Sequence, residues 1–360
     1  MKKTIRRFFI ISLILVLFIM GCGAAVTSKT GTVPTQSIQL EITQSAQVQP
    51  TTPPQLTPMP TAALPVMKVY EHPSNSFSIS VPTDWTESEN KGFVLLYSPD
   101  HTAQVELLVE NTANTLDTDA FTKVINAFEF NIYSSINNYK ETQREVQGDR
   151  GYAIITKTMD LDTVPYQAST IYEQKGKVLY IESYYTTVSD TGKSGPLFTA
   201  MGNSFKTNSA SAEELSPFTS APFPYTDPGN LYRLLIPLLW TYDDVNKNGS
   251  VISYTSPDDN ALIRLYKKDL GKTTTRALAD SNALEQLKAI ASDARVSKTE
   301  TLKNGSLKMT WASKSANLQG TSIYQWSGTK WFFLTWMVNG GFENIYAPAF
   351  NQSIASFETP

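Results

Sequence analysis

The nine residues FSISVPTDW at positions 77–85 decide the fold, because the related stretch YRLLIPLLW follows at positions 232–240. Both stretches begin with apolar side chains in largely alternating positions and then reach a proline and a tryptophan. An alternation with a period of two predicts a half-buried strand, and proline, which lacks a backbone N–H group, predicts the end of that strand. The repetition indicates that one domain occurs twice along the chain.

Further matches extend this repeat over most of the chain. The motif Ser-Pro-Asp at 98–100 recurs 158 positions later at 256–258, and the motif Ser-Phe at 204–205 recurs 152 positions later at 356–357. Small insertions account for the change in offset. Solenoid units recur every ~20 to 50 residues, so a repeat of this length indicates two globular modules instead.

Each module is predicted to be an α+β domain in which helices flank an antiparallel sheet. Apolar spacing predicts a helix over 118–136 and a final helix in each module. The hairpin around 327–330 has strands that are apolar on both faces, which predicts cover on both sides of the sheet. We expect the modules to be loosely coupled. The predicted segments are a signal peptide at 1–21, a disordered tether at 22–67, a first module at 68–207, a proline-rich connector at 208–224 and a second module at 225–360.

The first 22 residues resemble a bacterial lipoprotein signal. Four basic residues lie within the first seven positions, a 13-residue, mainly apolar stretch follows at 8–20, and the segment ends in Ile-Met-Gly-Cys at 19–22. The apolar stretch is shorter than the ~18 to 20 residues that a membrane-spanning helix needs. The resemblance implies that Cys22, the only cysteine of the chain, carries a lipid that anchors the protein at the extracytoplasmic face of the cell membrane. The alternative is an uncleaved anchor that continues through residues 23–26.

The composition of the tether and the overall charge restrict the partners. Residues 24–67 are rich in Thr, Gln, Ser, Ala and Pro, so they bury too little apolar surface to offset the entropy of ordering. The formal net charge is −3, and removal of the basic signal would make the mature chain more acidic. Such a charge disfavours nucleic acid, whose phosphates require basic patches. We therefore expect the membrane, reached through the lipid, and an envelope protein or polymer as partners.

The order of the predicted elements resembles the PsbP-like α/β/α sandwich, which DcrB-like and LpqN-like bacterial lipoproteins share. The matching features are the early strand that ends at proline and tryptophan, the Ser-Pro turn, the mid-domain helix, the meander of strands and the final helix that ends in Ser-Phe. The resemblance implies modules that bind or help to assemble partners and that have no common catalytic residues. A fold alone does not identify a ligand.

Motifs for catalysis are weak in this sequence. Gly-Lys-Ser at 192–194 and Gly-Lys-Thr at 271–273 look like the ends of phosphate-binding loops, but Thr187 and Tyr266 stand where such loops require glycine. With two histidines and no nucleophile elbow, the chain supports neither a Ser-His-Asp triad nor a zinc hydrolase. We therefore expect a non-catalytic binding or scaffold protein. The alternative is an extracytoplasmic hydrolase or carbohydrate-binding protein that acts on an envelope polymer.

One polar motif has two interpretations. Asp244, Asn246 and Asn248, followed by Gly249, match the first half of a calcium-binding loop, in which alternate side-chain oxygens converge on the ion. The twelfth position of the motif is Thr255 rather than glutamate, and Asn-Gly is also a strong hairpin-turn signal. The motif therefore predicts a turn, with calcium as the alternative, and the sequence indicates no other cofactor.

Aromatic side chains are concentrated near the end of the second module. Trp326, Trp331 and Trp336 have flat faces on which a sugar or a peptide could stack in a ligand groove. Large aromatic residues also dominate domain cores, so packing between the sheet and its helices is the simpler explanation. We favour the packing interpretation and keep the ligand surface as the alternative.

Overall fold

The computed structural model describes residues 64–90 and 92–358, which form two antiparallel sheets of seven strands each. The signal peptide, Cys22 and nearly all of the tether lie outside the described residues. Helices accompany both sheets, so the predicted α+β class is confirmed. None of the helices in the described ranges has the length and the apolar character needed to span a bilayer.

The first module combines a small sheet with a large one. Its elements are β1 (Met67–Glu71), β2 (Phe77–Pro82), β3 (Thr86–Asn90), β4 (Phe93–Tyr97), β5 (Ala103–Asn111), α1 (Thr118–Tyr133), β6 (Lys140–Gln147), β7 (Tyr152–Leu161), β8 (Val164–Lys175), β9 (Val178–Thr187), α2 (Thr191–Ser204), β10 (Lys206–Thr207) and α3 (Ser209–Ala212). The strand order is β1-β2-β10 in the small sheet and β3-β4-β5-β9-β8-β7-β6 in the large sheet.

The second module repeats this plan. Its elements are β11 (Pro222–Thr226), β12 (Arg233–Pro237), β13 (Thr241–Asp244), β14 (Val251–Thr255), β15 (Ala261–Asp269), α4 (Arg276–Ile290), β16 (Arg295–Thr301), β17 (Leu307–Ser313), β18 (Leu318–Ser327), β19 (Lys330–Asn339) and α5 (Glu343–Ala355). The small sheet has the order β11-β12, and the large sheet has the order β13-β14-β15-β19-β18-β17-β16, which matches the first module strand for strand.

The repeated stretch forms equivalent strands that end at proline. Strand β2 ends at Pro82 and β12 ends at Pro237, and the apolar positions of both strands are buried except for Leu235, which is partly buried. In the second copy, the indole of Trp240 packs edge-on against Tyr346 and Phe350 of α5, at centroid distances of 5.7 and 5.9 Å. The tryptophan that ends the motif therefore joins the small sheet to the last helix, and the strand and its end at proline are as the alternation and the proline predict.

Each large sheet is covered on both faces. In the first module, α1 begins at its cap Asp117, whose Oδ1 accepts the N–H of Ala120 at 2.9 Å, and it buries its apolar face against the sheet. The small sheet and α2 cover the opposite face. In the second module, α4 covers Trp331 and Phe333, whereas α5 covers the face of Trp336. The cover that the doubly apolar hairpin strands predict is confirmed.

A matching pair of serines fixes the equivalence between the modules. Ser204, at the end of α2, accepts the N–H of Ser80 at 2.8 Å, and Ser356, at the end of α5, accepts the N–H of Leu235 at 2.7 Å. Both serines also donate to the carbonyl oxygen three residues earlier. Because the two helices end in the same contact, residues of α2 and α5 that are 152 positions apart occupy equivalent places.

The two modules share a buried interface, so the prediction of loose coupling is wrong. The side-chain amide of Asn131 on α1 donates to the carbonyl oxygens of Leu238 and Trp240, at 2.6 and 3.2 Å. Next to it, Phe130 stacks on Tyr242 with ring centroids 5.2 Å apart. Leu238 and the following leucine belong to the core of the first module. Helix α1 is therefore packed between its own sheet and the second module.

The connector at 208–224 also carries structure. It contains α3 and most of β11, whose prolines are tolerated because β11 pairs only with β12 and lies at an edge. Phe218 inserts into the core of the second module, where it stacks on Tyr346 at 5.6 Å, while its backbone N–H donates to Asn111 in the first. The connector passes close to Gly92, whose φ is +84°. A Cβ atom at this position would lie 1.5 Å from the carbonyl oxygen of Ser220, so glycine is required there.

Candidate functional site

A groove lies between α2 and strands β8 and β9 on one face of the first large sheet. Its volume is about 450 Å³, which falls in the range of ~300 to 1,000 Å³ typical of ligand pockets. Ile171, Glu182 and Tyr184 line it from the sheet, and Thr199 and Gly202 line it from the helix. The groove therefore combines apolar surface with a small number of polar groups, as ligand sites usually do.

Glu182 is the only acidic residue that lines the groove. Its side chain is 6% exposed, and its Oε2 accepts the hydroxyl of Tyr184 at 2.5 Å. Burial raises the pKa of Glu182 to about 7, with the hydroxyl of Tyr184 acting in the opposite direction. Since a carboxyl group with a shifted pKa in a cleft is typical of functional sites, Glu182 is the candidate binding residue.

The equivalent places in the second module are filled by larger apolar side chains. Strand pairing places Glu182 opposite Ile171, and it places Leu334 opposite Ile323, so Leu334 is the counterpart of Glu182. By the same pairing, Trp336 is the counterpart of the neighbouring groove tyrosine, and its Nε1 donates to Ser353 of α5 at 2.9 Å. Trp336 and Leu334 are fully buried. The sheet and the last helix are thus in direct contact in the second module.

The helix shows the same difference in size. Gly202 lines the groove, whereas its counterpart Ile354 packs against the core of the second module. A Cβ atom on Gly202 would lie 3.3 Å from the hydroxyl of Tyr184, so even a small side chain would narrow the groove there. Both helices contain a proline at the same place, Pro196 and Pro348, so the groove results from side-chain size rather than from a change in the helix.

A second group of titratable residues is enclosed in the first module, on the face under α1. Lys157 is fully buried and forms an ion pair with Glu129 of α1 at 2.5 and 2.7 Å. Tyr172 and Tyr139 donate to the same carboxylate at 2.6 and 2.8 Å. Burial lowers the pKa of Lys157 to about 8 despite the attraction of Glu129. The ammonium group also lies 3.8 Å from the centre of the Tyr133 ring. This cluster is satisfied internally, so we assign it a structural role.

The polar motif of the sequence forms a hairpin turn between β13 and β14. Both carboxylate oxygens of Asp244 accept the N–H of Gly249, at 2.9 and 3.1 Å. Asn246 donates to the hydroxyl of Ser250, and Asn248 accepts the N–H of Ser250. These oxygens and amides are used by the turn itself. Within the described ranges, no group of three or more His, Cys, Asp or Glu residues is placed to hold a metal ion, and calcium binding by the motif stays a prediction.

The three tryptophans predicted as an alternative ligand surface have different environments. Trp331 and Trp336 are 2% and 0% exposed, so neither offers a ring face to a ligand. Trp326 is partly buried beside α4 and lies directly opposite Trp331 in the hairpin. Their burial is explained by the two helices that cover this sheet. A ligand surface formed by these three tryptophans, the alternative from the sequence, would need a rearrangement of the core. The groove of the first module is the better candidate.

No motif in the sequence marks the residues that line the groove. Glu182 lies in a strand whose other residues are apolar, aromatic or hydroxyl-bearing, and nothing in its neighbourhood matches a motif. The signal that identifies it is a comparison of the two copies. Where the first copy has glutamate the second has leucine, and where the first has glycine the second has isoleucine. A difference between duplicated modules therefore identifies the site better than any motif within one module.

Comparisons with known proteins give similarities of fold only. No protein-family model matches the sequence, and no curated protein matches it either. A solution structure of PsbP from Synechocystis is 13% identical over 42% of this chain and 99% of its own, with a TM-score of 0.31. LpqN of Mycobacterium tuberculosis, described as involved in cell envelope biogenesis, is 8% identical over 40% of this chain and 91% of its own, with a TM-score of 0.27.

A third solved structure, a protein of unknown function from Pseudomonas aeruginosa, gives a similar result. It is 13% identical over 42% of this chain and 96% of its own, with a TM-score of 0.25. At such identities and TM-scores the likenesses transfer neither a ligand nor an activity. The fold class therefore rests on the strand order of the two sheets, and the site rests on the groove.

Proposed function

We propose that this chain is a non-catalytic binding protein, anchored by a lipid on Cys22 at the extracytoplasmic face of the cell membrane, and that it binds an envelope protein or polymer in the groove of the first module. The observation that carries this proposal is the groove itself, open in one copy of the fold and filled in the other. The two large sheets share one strand order and each module ends in a helix, so the difference at this cavity lies in the side chains that line it.

The lining of the groove supports binding rather than catalysis. Hydrolysis of a glycosidic bond uses two carboxyl groups roughly 5 to 10 Å apart, whereas the lining supplies the single carboxyl group of Glu182. The exposed amide of Asn203 can donate to and accept from a bound molecule, and the exposed hydroxyl of Thr199, which donates to the carbonyl oxygen of Gly195, can accept a hydrogen bond. The hydrolase alternative therefore has no observation in its favour.

Blocking the groove is expected to reduce retention of the envelope ligand. Thr199 is exposed on α2 and lines the groove, so Thr199→Trp fills the cavity without disturbing the core. We expect this variant to retain about tenfold less material from a solubilised envelope fraction, which corresponds to ~1.4 kcal/mol of binding free energy. The measurement is quantitative affinity capture with the full chain, followed by analysis of the protein and polymer that elute.

The second module provides the matched control for this experiment. Asn351 is the exposed counterpart of Thr199 on α5, so Asn351→Trp adds the same side chain at the equivalent place. We expect wild-type retention from this variant. Equal retention by the Thr199→Trp variant and the wild type would show that the groove is not the binding site.

Anchoring is tested separately at the signal. Cys22→Ala is expected to leave the precursor unprocessed, or to release protein that no longer partitions into detergent, because the thiol that carries the lipid is absent. Phase partitioning of whole-cell extracts, together with the apparent mass of the chain, measures both effects. Unchanged partitioning after the substitution would show that an uncleaved helix anchors the chain.

A further inference from the structure

We propose that the groove binds a basic side chain, lysine or arginine, of an extended peptide segment in a partner protein, and that the cationic group pairs with Glu182. This inference rests on the proposed function and specifies the chemistry of its ligand. It follows from three features of the groove: a carboxyl group without a cation, apolar walls beside it, and amide groups on β8 and α2.

The carboxyl group lacks the partner that a buried carboxylate needs. Charged groups are seldom buried unless they are paired, because loss of hydration is costly. Glu182 has a hydrogen bond from the hydroxyl of Tyr184 at 2.5 Å, but it forms no ion pair within the described residues. Its Oε1 accepts no hydrogen bond from this part of the chain. A cation that enters the groove would supply the missing partner.

The walls fit the stem of a long basic side chain. Ile171, Tyr184 and Phe198 line the groove, and the last two rings pack with centroids 5.4 Å apart. Lysine and arginine pack their methylene groups along apolar surface while the charged end reaches a polar group. The remaining lining includes the amides of Gln167 and Asn203, which are suited to the N–H and carbonyl groups of a peptide backbone. A cavity of about 450 Å³ has room for a side chain together with adjoining backbone.

The charges around Glu182 do not prevent this pairing. Glu173 and Lys175, which form an ion pair with each other at 2.9 Å, act on it from β8 with opposite effects. Tyr184 faces it from β9, and the residues by which α2 lines the groove include no titratable side chain. Burial raises the pKa of Glu182 to about 7. The carboxyl group is therefore protonated below neutral pH and available to a cation above it.

The test uses fluorescein-labelled peptides of sequence Gly-Ala-Lys-Ala-Gly, with lysine or with acetyl-lysine, and the full chain in detergent. We expect fluorescence anisotropy to show binding of the lysine peptide that is about tenfold tighter at pH 8 than at pH 6, because Glu182, the one acidic residue that lines the groove, loses its proton in this range whereas the lysine of the peptide stays protonated. Glu182→Gln should remove the pH dependence and reduce the affinity to that of the acetyl-lysine peptide. Asn351→Trp should bind as the wild type does, and Thr199→Trp should not bind.

Four results would overturn the inference. Equal binding of the acetyl-lysine peptide would show that no cation is recognised, and unchanged binding by the Glu182→Gln variant would show that another residue is responsible. Displacement of the lysine peptide by an equal concentration of cadaverine would assign the site to small amines rather than to peptides. If these peptides fail to bind but Thr199→Trp still reduces capture of envelope material, the inference falls and the proposed function stands.

Discussion

Replacement of Lys157 by methionine is expected to lower the free energy of unfolding by about 3 to 5 kcal/mol, the usual cost of removing one partner from a buried ion pair. The substitution keeps the volume of the side chain but leaves the carboxylate of Glu129 beneath α1 without its cation. Two tyrosine hydroxyls would still donate to that carboxylate, but they carry no charge. Chemical denaturation of the full chain measures the change.

Two further variants separate charge from packing in this prediction. Lys157→Met combined with Glu129→Gln removes both charges and keeps hydrogen-bonding groups for the tyrosines, so we expect it to recover more than half of the loss. Lys308→Met is the control at a partly exposed pair, since Lys308 lies 3.2 Å from Glu300 near the surface of the second module, and pairs that reach solvent contribute ~0 to 1 kcal/mol. A loss from Lys157→Met no larger than that of Lys308→Met would contradict the assignment.

The second module shows that the ion pair is not required by the fold. Lys157 lies opposite Ala168 in the first sheet, and Trp311 lies opposite Gly320 in the second, so Trp311 is the counterpart of Lys157. A Cβ atom on Gly320 would lie 2.4 Å from the ring of Trp311, which explains why glycine stands there. At this position of the sheet, the first module thus has a buried ammonium group and the second module has an indole ring.

Replacement of Trp240 by alanine is expected to cost about 3 to 5 kcal/mol, since it removes a fully buried indole from the core of the second module. The ring contacts Tyr346 and Phe350 of α5 and also Phe218 of the connector. We expect one cooperative transition that shifts as a whole, because the preceding leucines pack in the core of the first module. Differential scanning calorimetry of the full chain measures both the shift and the number of transitions.

A control for this variant lies at the end of the last hairpin. Trp326 is only partly buried, so Trp326→Ala should cost clearly less than Trp240→Ala. If Trp240→Ala instead produced two transitions, with only one of them shifted, the modules would unfold independently. The hydrogen bonds of Asn131 would then contribute little to cooperativity.

The periodic elements of this protein could be predicted from the sequence, because their cause is local. Strand β2 and helix α1 each have a clear apolar face. A proline marks the end of β2, and an aspartate marks the start of α1. The interface could not be predicted in this way. Its signal is a difference between the copies, since the first stretch has Thr83-Asp84 before its tryptophan and the second has Leu238-Leu239. In the first copy the residues before the tryptophan are polar and exposed. In the second copy they are two leucines, which are buried against the other module.

The groove was beyond prediction for a related reason. A cavity is formed by what neighbouring side chains leave unfilled, so it depends on distant pairs such as Glu182 on β9 and Gly202 on α2. Neither residue is unusual in its own segment. The strand register and the helix contact must both be known before the two can be placed on the same cavity.

The interface also has a consequence for the order in which the chain acquires its structure. Asn131 is synthesised 107 residues before Leu238, which accepts its hydrogen bond. At ~5 to 20 residues per second, α1 exists for roughly 5 to 20 seconds before its outer partner emerges. During this time the aromatic ring of Phe130 and the amide beside it face other molecules instead of Tyr242. The nascent first module is therefore most exposed to aggregation on the side that the mature protein keeps covered.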